Sequence, residues 1–132
     1  PLESVQALLG FWENKDISHF MEKVHPEGQF MTVMGAPLDR AALAGLLEHF
    51  ISSAPAMHNE IGRIVELNDG WAVAEVVMTG TNTGSYLGLP PSGKPFELRY
   101  AALYHFDDDG LLTNFELFYD QVTLLRQLGF LQ

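Results

Sequence analysis

The chain has no cysteine, which removes disulfides, thiolate nucleophiles and cysteine-ligated metals together. Basic residues are few: Lys and Arg total 7 against 17 acidic residues, for a formal net charge of -10. Nucleic-acid binding relies on Lys and Arg to neutralise phosphates, and seven scattered singly form no patch, so no nucleic-acid partner is expected. The acidity itself favours solubility. No apolar run approaches the roughly 18 residues that span a bilayer, and the N-terminal segment lacks the basic-then-apolar form of a signal peptide. The expectation is a cytoplasmic protein with no membrane partner. Low-complexity stretches are also missing, and 132 residues that are 47% hydrophobic are enough for one domain, 1-132, with its own core.

What is present is periodic. Val5, Leu8, Leu9 and Trp12 fall at helical spacing; Ile17, Phe20, Met21 and Val24 repeat it behind an N-cap at Asp16, and Leu43, Leu46, Leu47 and Phe50 behind Asp39. Gln29 to Met34 reads as a short strand after the stop at His25-Pro26. From Met57 the period becomes two, predicting strands over 58–67, 71–79, 95–106 and 111–119, with turn signals at Asn68-Asp69-Gly70 and Asp107-Asp108-Asp109-Gly110. In the third of these, Phe96, Leu98, Tyr100, Ala102, Tyr104 and Phe106 form one apolar face opposite Glu97, Arg99, Ala101, Leu103 and His105. The order predicts an α+β fold: a curved antiparallel sheet, covered on one side by the N-terminal helices, with a ligand pocket between them. Residues 80–94, rich in Gly and Pro, read as an ordered flap with Tyr86, Leu87 and Leu89 to pack.

Several motifs fail on inspection. Gly88 to Lys94 matches G-x-x-x-x-G-K, but Pro95 replaces the magnesium-binding hydroxyl, and Pro90 and Pro91 remove amides that would hold phosphate. The acidic turn crowds its carboxylates instead of alternating them, so it is not a calcium loop. His19, His25, His49, His58 and His105 show no metal-ligand spacing, and no G-x-S-x-G elbow presents a serine. No metal is expected.

One carboxylate stands out. Asp120 lies where an apolar strand gives way to a short helix. Facing an enclosed cavity it would be a general base with a raised pKa; otherwise it is an N-cap for the helix that follows. Stepping back by twos places Phe118 and Glu116 on its strand face, so Glu116 is expected to share the pocket, with Tyr100 or Tyr104 as hydrogen-bonding companion. Trp12, Phe30 and Met34 are expected to complete an apolar wall, and Asn59, Tyr100 and Tyr104 to orient a carbonyl group. Arg99 points away from the pocket, which disfavours an arginine-bridged acid pair of the epoxide-hydrolase type.

Gly80-Thr81-Asn82-Thr83-Gly84, Gly88 to Lys94, Phe106 to Gly110, and Asp120 followed by Leu124, Gln127, Leu128 and Gly129 together resemble the SnoaL-like polyketide cyclases, within the nuclear-transport-factor-like superfamily of cone-shaped α+β domains. The resemblance runs over nearly the whole chain, Asp39-Arg40 included. It implies a cyclase- or isomerase-type enzyme without metal or organic cofactor, in which Asp120 removes a proton beside the carbonyl of a small apolar substrate and an aldol closure follows. It also implies a homodimer through the open sheet surface, for which Val76, Leu103 and Leu117 supply apolar residues. Two positions depart from the family pattern: Glu116 stands where a large aromatic or polar residue is common, and the histidine that some members use has no match. The other reading is a noncatalytic ligand-binding domain in which Asp120 only caps a helix.

Overall fold

The apolar stripes at helical spacing fold as α1 (Leu2–Glu13), α2 (Ile17–Glu22) and α3 (Arg40–Ser53) in the computed structural model, which describes residues 1–131. Asp16 and Asp39 cap α2 and α3 as expected, accepting from the amides of His19 (3.1 Å) and Ala42 (2.8 Å). Arg40 donates from Nη2 to the carbonyl of Met21 at 2.6 Å, so the guanidinium covers the C-terminal end of α2 and holds it against α3.

The strands are β1 (Val24–Met31), β2 (His58–Glu66), β3 (Trp71–Thr81), β4 (Pro95–Phe106) and β5 (Leu112–Tyr119), followed by α4 (Gln121–Gln127). They form one curved, open sheet in the order β1-β5-β4-β3-β2. The expected antiparallel sheet needs one correction: β1 runs parallel to β5, so the sheet is mixed. This follows from β1 being separated in sequence from its partner by the rest of the fold instead of by a hairpin. The strand also starts at Val24, earlier than Gln29. Val24 is buried in the sheet, not on a helix face, and the register with β5 shifts between Val24 and Gln29. Gly28 lies in that irregular stretch because a Cβ there would stand 2.5 Å from the Phe30 ring.

Ala72, Ala74 and Ala102, each 0% exposed, line the centre of the inner sheet face, and their small side chains let the helical residues Val5, Leu8 and Leu9 approach closely. Toward the far end of β4 the inner residues become large, and the helices no longer fill the space. A second apolar cluster closes that end, made by Tyr86, Leu98, Leu124 and Leu128.

The segment after β3 is an ordered connection organised by Asn82, which is 1% exposed. Its Nδ2 donates to the carbonyls of Ser53 (3.3 Å) and Gly84 (2.8 Å), its Oδ1 accepts from Ser92 N (2.8 Å), and its backbone pairs with Lys94 and Gly93. The loop passes so close to the end of α3 that a Cβ at Gly84 would lie 2.0 Å from the Ser52 carbonyl oxygen. Of the three residues expected to pack, Tyr86 is buried, whereas Leu87 and Leu89 are exposed. Asn82→Ala should leave these buried backbone groups without partners and cost about 2–3 kcal/mol in a denaturant titration, with faster amide exchange across 83–93. An unchanged transition midpoint would mean that the loop is held by other contacts.

Candidate ligand cavity

The space left between helices and sheet is a cavity of about 80 Å³. From α1 and α2 it is lined by Leu9, Trp12 and Phe20; from α3 by Leu47, Phe50 and Ser53, with Ala54 at its C-cap. The sheet contributes Met78, Phe96, Leu98, Tyr100 and Tyr104, then Phe115, Leu117 and Tyr119 from β5. Tyr86 of the loop, Leu124 of α4 and Leu128 just after it close the end. Ligand sites are commonly about 300–1,000 Å³, so a sizeable ligand requires the closing residues to give way.

No Asp, Glu, His, Lys or Arg is among the lining residues. The polar lining groups are mostly committed: Ser53 Oγ donates to Phe50 O at 2.9 Å, Asn82 is spent on the loop, and Tyr86 Oη donates to Gln121 Oε1 at 3.1 Å. The tyrosines of β4 and β5 differ. Tyr100 and Tyr119 are directly opposite one another across the two strands, so both hydroxyl-bearing rings rise from the same face. Tyr119 Oη is buried with no hydrogen-bond partner among the described residues. Burial pushes the Tyr119 phenol well up, and the nearby Tyr86 hydroxyl adds to the rise. Tyr100 is also raised, by burial first and then by the Glu13 charge, with the Trp12 indole pulling slightly the other way. Burial raises Tyr104 as well, and its ring lies 5.2 Å from that of Phe115. All three are neutral hydrogen-bond donors at physiological pH.

Of the residues expected at the site, Trp12, Tyr100 and Tyr104 line the cavity, and six others do not. Phe30 is fully buried, but it belongs to the core, paired with Phe115 across β1 and β5. Met34 is in the turn after β1, because that strand ends at Met31. Asn59 is on the inner side of β2 and buried, yet its backbone N (2.8 Å) and Nδ2 (3.1 Å) both donate to Glu13 Oε1, tying α1 to β2. Burial opposes ionisation of Glu13, but the hydrogen bonds from Asn59 and the contact with His58 outweigh it and lower its pKa.

The inward residues of β5 are Phe115, Leu117 and Tyr119, so Glu116 and Phe118 occupy the outer face, where Glu116 is opposite Leu103 and Phe118 is 53% exposed. Stepping by twos from Asp120 selected the wrong side. Asp120 itself is exposed and outside the cavity lining. Its Oδ1 accepts from Thr123 N (3.1 Å) and its Oδ2 from Thr123 Oγ1 (2.7 Å), so it caps α4. These bonds from Thr123, side chain first and backbone second, hold its carboxyl below the ordinary range. The residues missed from sequence, Tyr86 and Tyr119, had a signal: Tyr119 is one strand position from Asp120, on the face shared with Phe115.

The sequence pattern of the SnoaL-like polyketide cyclases matches residues 3–128. The chain belongs to that family. Among solved structures, it superposes on IdmH of Streptomyces antibioticus, a candidate polyketide cyclase, with a TM-score of 0.83 at 25% identity, covering 98% of each chain. TsrD of Streptomyces laurentii gives a TM-score of 0.81 at 25% identity over 98% of this chain and 97% of that one. AclR of Streptomyces galilaeus, a candidate hydroxylase, gives 0.87 at 19% identity over 98% and 96%, a likeness of fold. No curated protein matches the chain. Among the described residues, no group of three or more His, Cys, Asp or Glu is placed to hold a metal ion, and no helix is long and apolar enough to cross a membrane.

Because the folded Asp120 carboxyl is held below its unfolded value, its contribution to stability is present at neutral pH and is lost as pH falls through the carboxylate range. Asp120→Asn should therefore melt close to the parent at neutral pH while showing a shallower loss of melting temperature between about pH 5 and pH 3. Parallel acid profiles for the two proteins would remove Asp120 from the acid response.

Proposed function

We propose that the protein is a cyclase- or isomerase-type enzyme that takes a small, mostly apolar, carbonyl-bearing molecule into the cavity and activates the carbonyl by hydrogen bonds from tyrosines. The observation that carries this reading is the buried, unpartnered Tyr119 hydroxyl beside Tyr100 on an otherwise apolar wall. A buried donor without a partner is costly unless a ligand supplies the acceptor. Neutral phenols in a solvent-shielded site stabilise negative charge as it develops on a carbonyl oxygen, which favours a ring closure in which the substrate's own enol carbon bonds to that carbonyl carbon and the enol proton passes to the new alkoxide. The base role implied for Asp120 draws no support from an exposed carboxylate engaged with Thr123, and we assign Asp120 to capping. The proposal includes no cofactor.

A screen of polyketide-like and steroid-like ketones for cyclisation or isomerisation supplies the assay. Tyr119→Phe should lower kcat by about 100-fold, the usual effect of removing one donor to a developing oxyanion, and Asp120→Asn should stay within a few-fold of the parent. A hundredfold loss in Asp120→Asn with full activity in Tyr119→Phe would reverse the assignment. The absence of an ionised group from the lining also favours a second reading, noncatalytic binding of the same ligands; ketones that bind without turnover would select it.

We also propose a homodimer through the outer sheet face. Val76 and Leu117 point inward and take no part, but Val73, Leu103 and Phe118 are on the outer face with Arg99 and Glu116, so one surface offers apolar area and both charge signs to a two-fold copy of itself. Phe118→Glu should shift the protein from dimer to monomer in sedimentation. A monomeric parent protein would refute the interface.

A further inference from the structure

We propose that the cavity selects its ligand by charge state, admitting neutral carbonyl compounds and rejecting the carboxylate anion of the same shape. This rests on the carbonyl-binding reading above and adds to it a rule for the substrate class: a ketone, aldehyde, ester or lactone at the buried end, with any ionised group left outside.

The lining residues include no cation, so an entering anion loses its water and meets no opposite charge. The donors that remain are phenols. They satisfy a carbonyl oxygen fully, but the two oxygens and net charge of a carboxylate only in part. The chain's formal charge of -10 adds a repulsive background. The burial that raises the phenols of Tyr100, Tyr104 and Tyr119 acts equally against a negative charge on a ligand beside them.

The ionisable groups facing this space from each element are few. The sheet presents Tyr100, Tyr104 and Tyr119, and the loop presents Tyr86. α1 brings Glu13 near Tyr100, a negative charge that works against an anionic ligand. α3 brings His49, whose ring stacks on Tyr86 at 5.7 Å while its Nε2 accepts from Leu87 N. α2 and α4 with its C-cap contribute only apolar lining residues, Phe20, Leu124 and Leu128. His49 itself is outside the lining, and no lining residue is a cation.

The test is calorimetric titration of the full chain with an isosteric pair, cyclohexyl methyl ketone and cyclohexanecarboxylate. At about pH 7.5 the ketone should bind at least about tenfold more tightly than the carboxylate. Lowering the pH to about 5.5 should raise the apparent affinity of the acid by roughly tenfold or more, as its neutral form becomes populated, and leave the ketone unchanged. Carboxylate binding as tight as the ketone, or insensitive to pH, overturns charge selection while leaving carbonyl binding in place. If neither compound binds, the carbonyl-binding reading fails, and this inference with it.

Discussion

The hydrogen bonds of Asn82 are the constraint on which the closed end of the fold depends. One buried amide joins the last turn of α3 to both limbs of the 82–94 connection, through Ser53, Gly84 and Ser92. An apolar residue of the same size would leave those main-chain groups without partners in a region shielded from solvent, and a charged one would be unpaired. With the connection fixed, Tyr86 projects inward, meets Leu124 and Leu128, and reaches Gln121 through its hydroxyl. The cavity owes its end wall to a polar side chain that offers no free hydrogen bond of its own to a ligand.

Inside that wall the electrostatics are simple. Charged side chains are kept out of the cavity lining and placed where solvent, partners such as Arg63 with Glu75, or helix caps accommodate them. The interior keeps aromatic rings with hydroxyl tips. Such a site is suited to lowering the energy of a polarised carbonyl and poorly suited to holding a proton in transit, because its phenols ionise far above neutrality and give protons up reluctantly.

Most of the architecture was legible because local and tertiary preferences agree. Val5, Leu8, Leu9 and Trp12 are all buried at the spacing that named α1, and the alternation in β4 assigned its inner face correctly. The failures have specific causes. Periodicity carries no information on which strand will be a neighbour, so the parallel pairing of β1 with β5 was not readable, and the bulged Val24–Gln29 stretch disguised the start of β1. Asp120 misled because it lies just beyond the strand: the parity applied to Glu116 and Phe118 was consistent, but the inner set was the one containing Tyr119. Without a tertiary neighbour, a strand with apolar residues on both faces does not announce which one is inside.

Strand β4 extends past the last residue of β5, since Tyr100 pairs with Tyr119 and the residues from Pro95 to Arg99 have no partner on that side. The side chain of Gln127 occupies the gap: Glu97 N donates to its Oε1 at 2.7 Å, and its Nε2 donates to Glu97 O at 3.0 Å. A primary amide has the same donor and acceptor as a peptide group, so a single residue of α4 imitates one rung of a missing strand. An exposed strand margin is a template for pairing with foreign chains and the start of many fibrils. The helix that brings Leu124 to the cavity thus also blunts, through Gln127, a stretch of β4 that a neighbouring molecule could extend, so one short element serves both the interior and the strand margin.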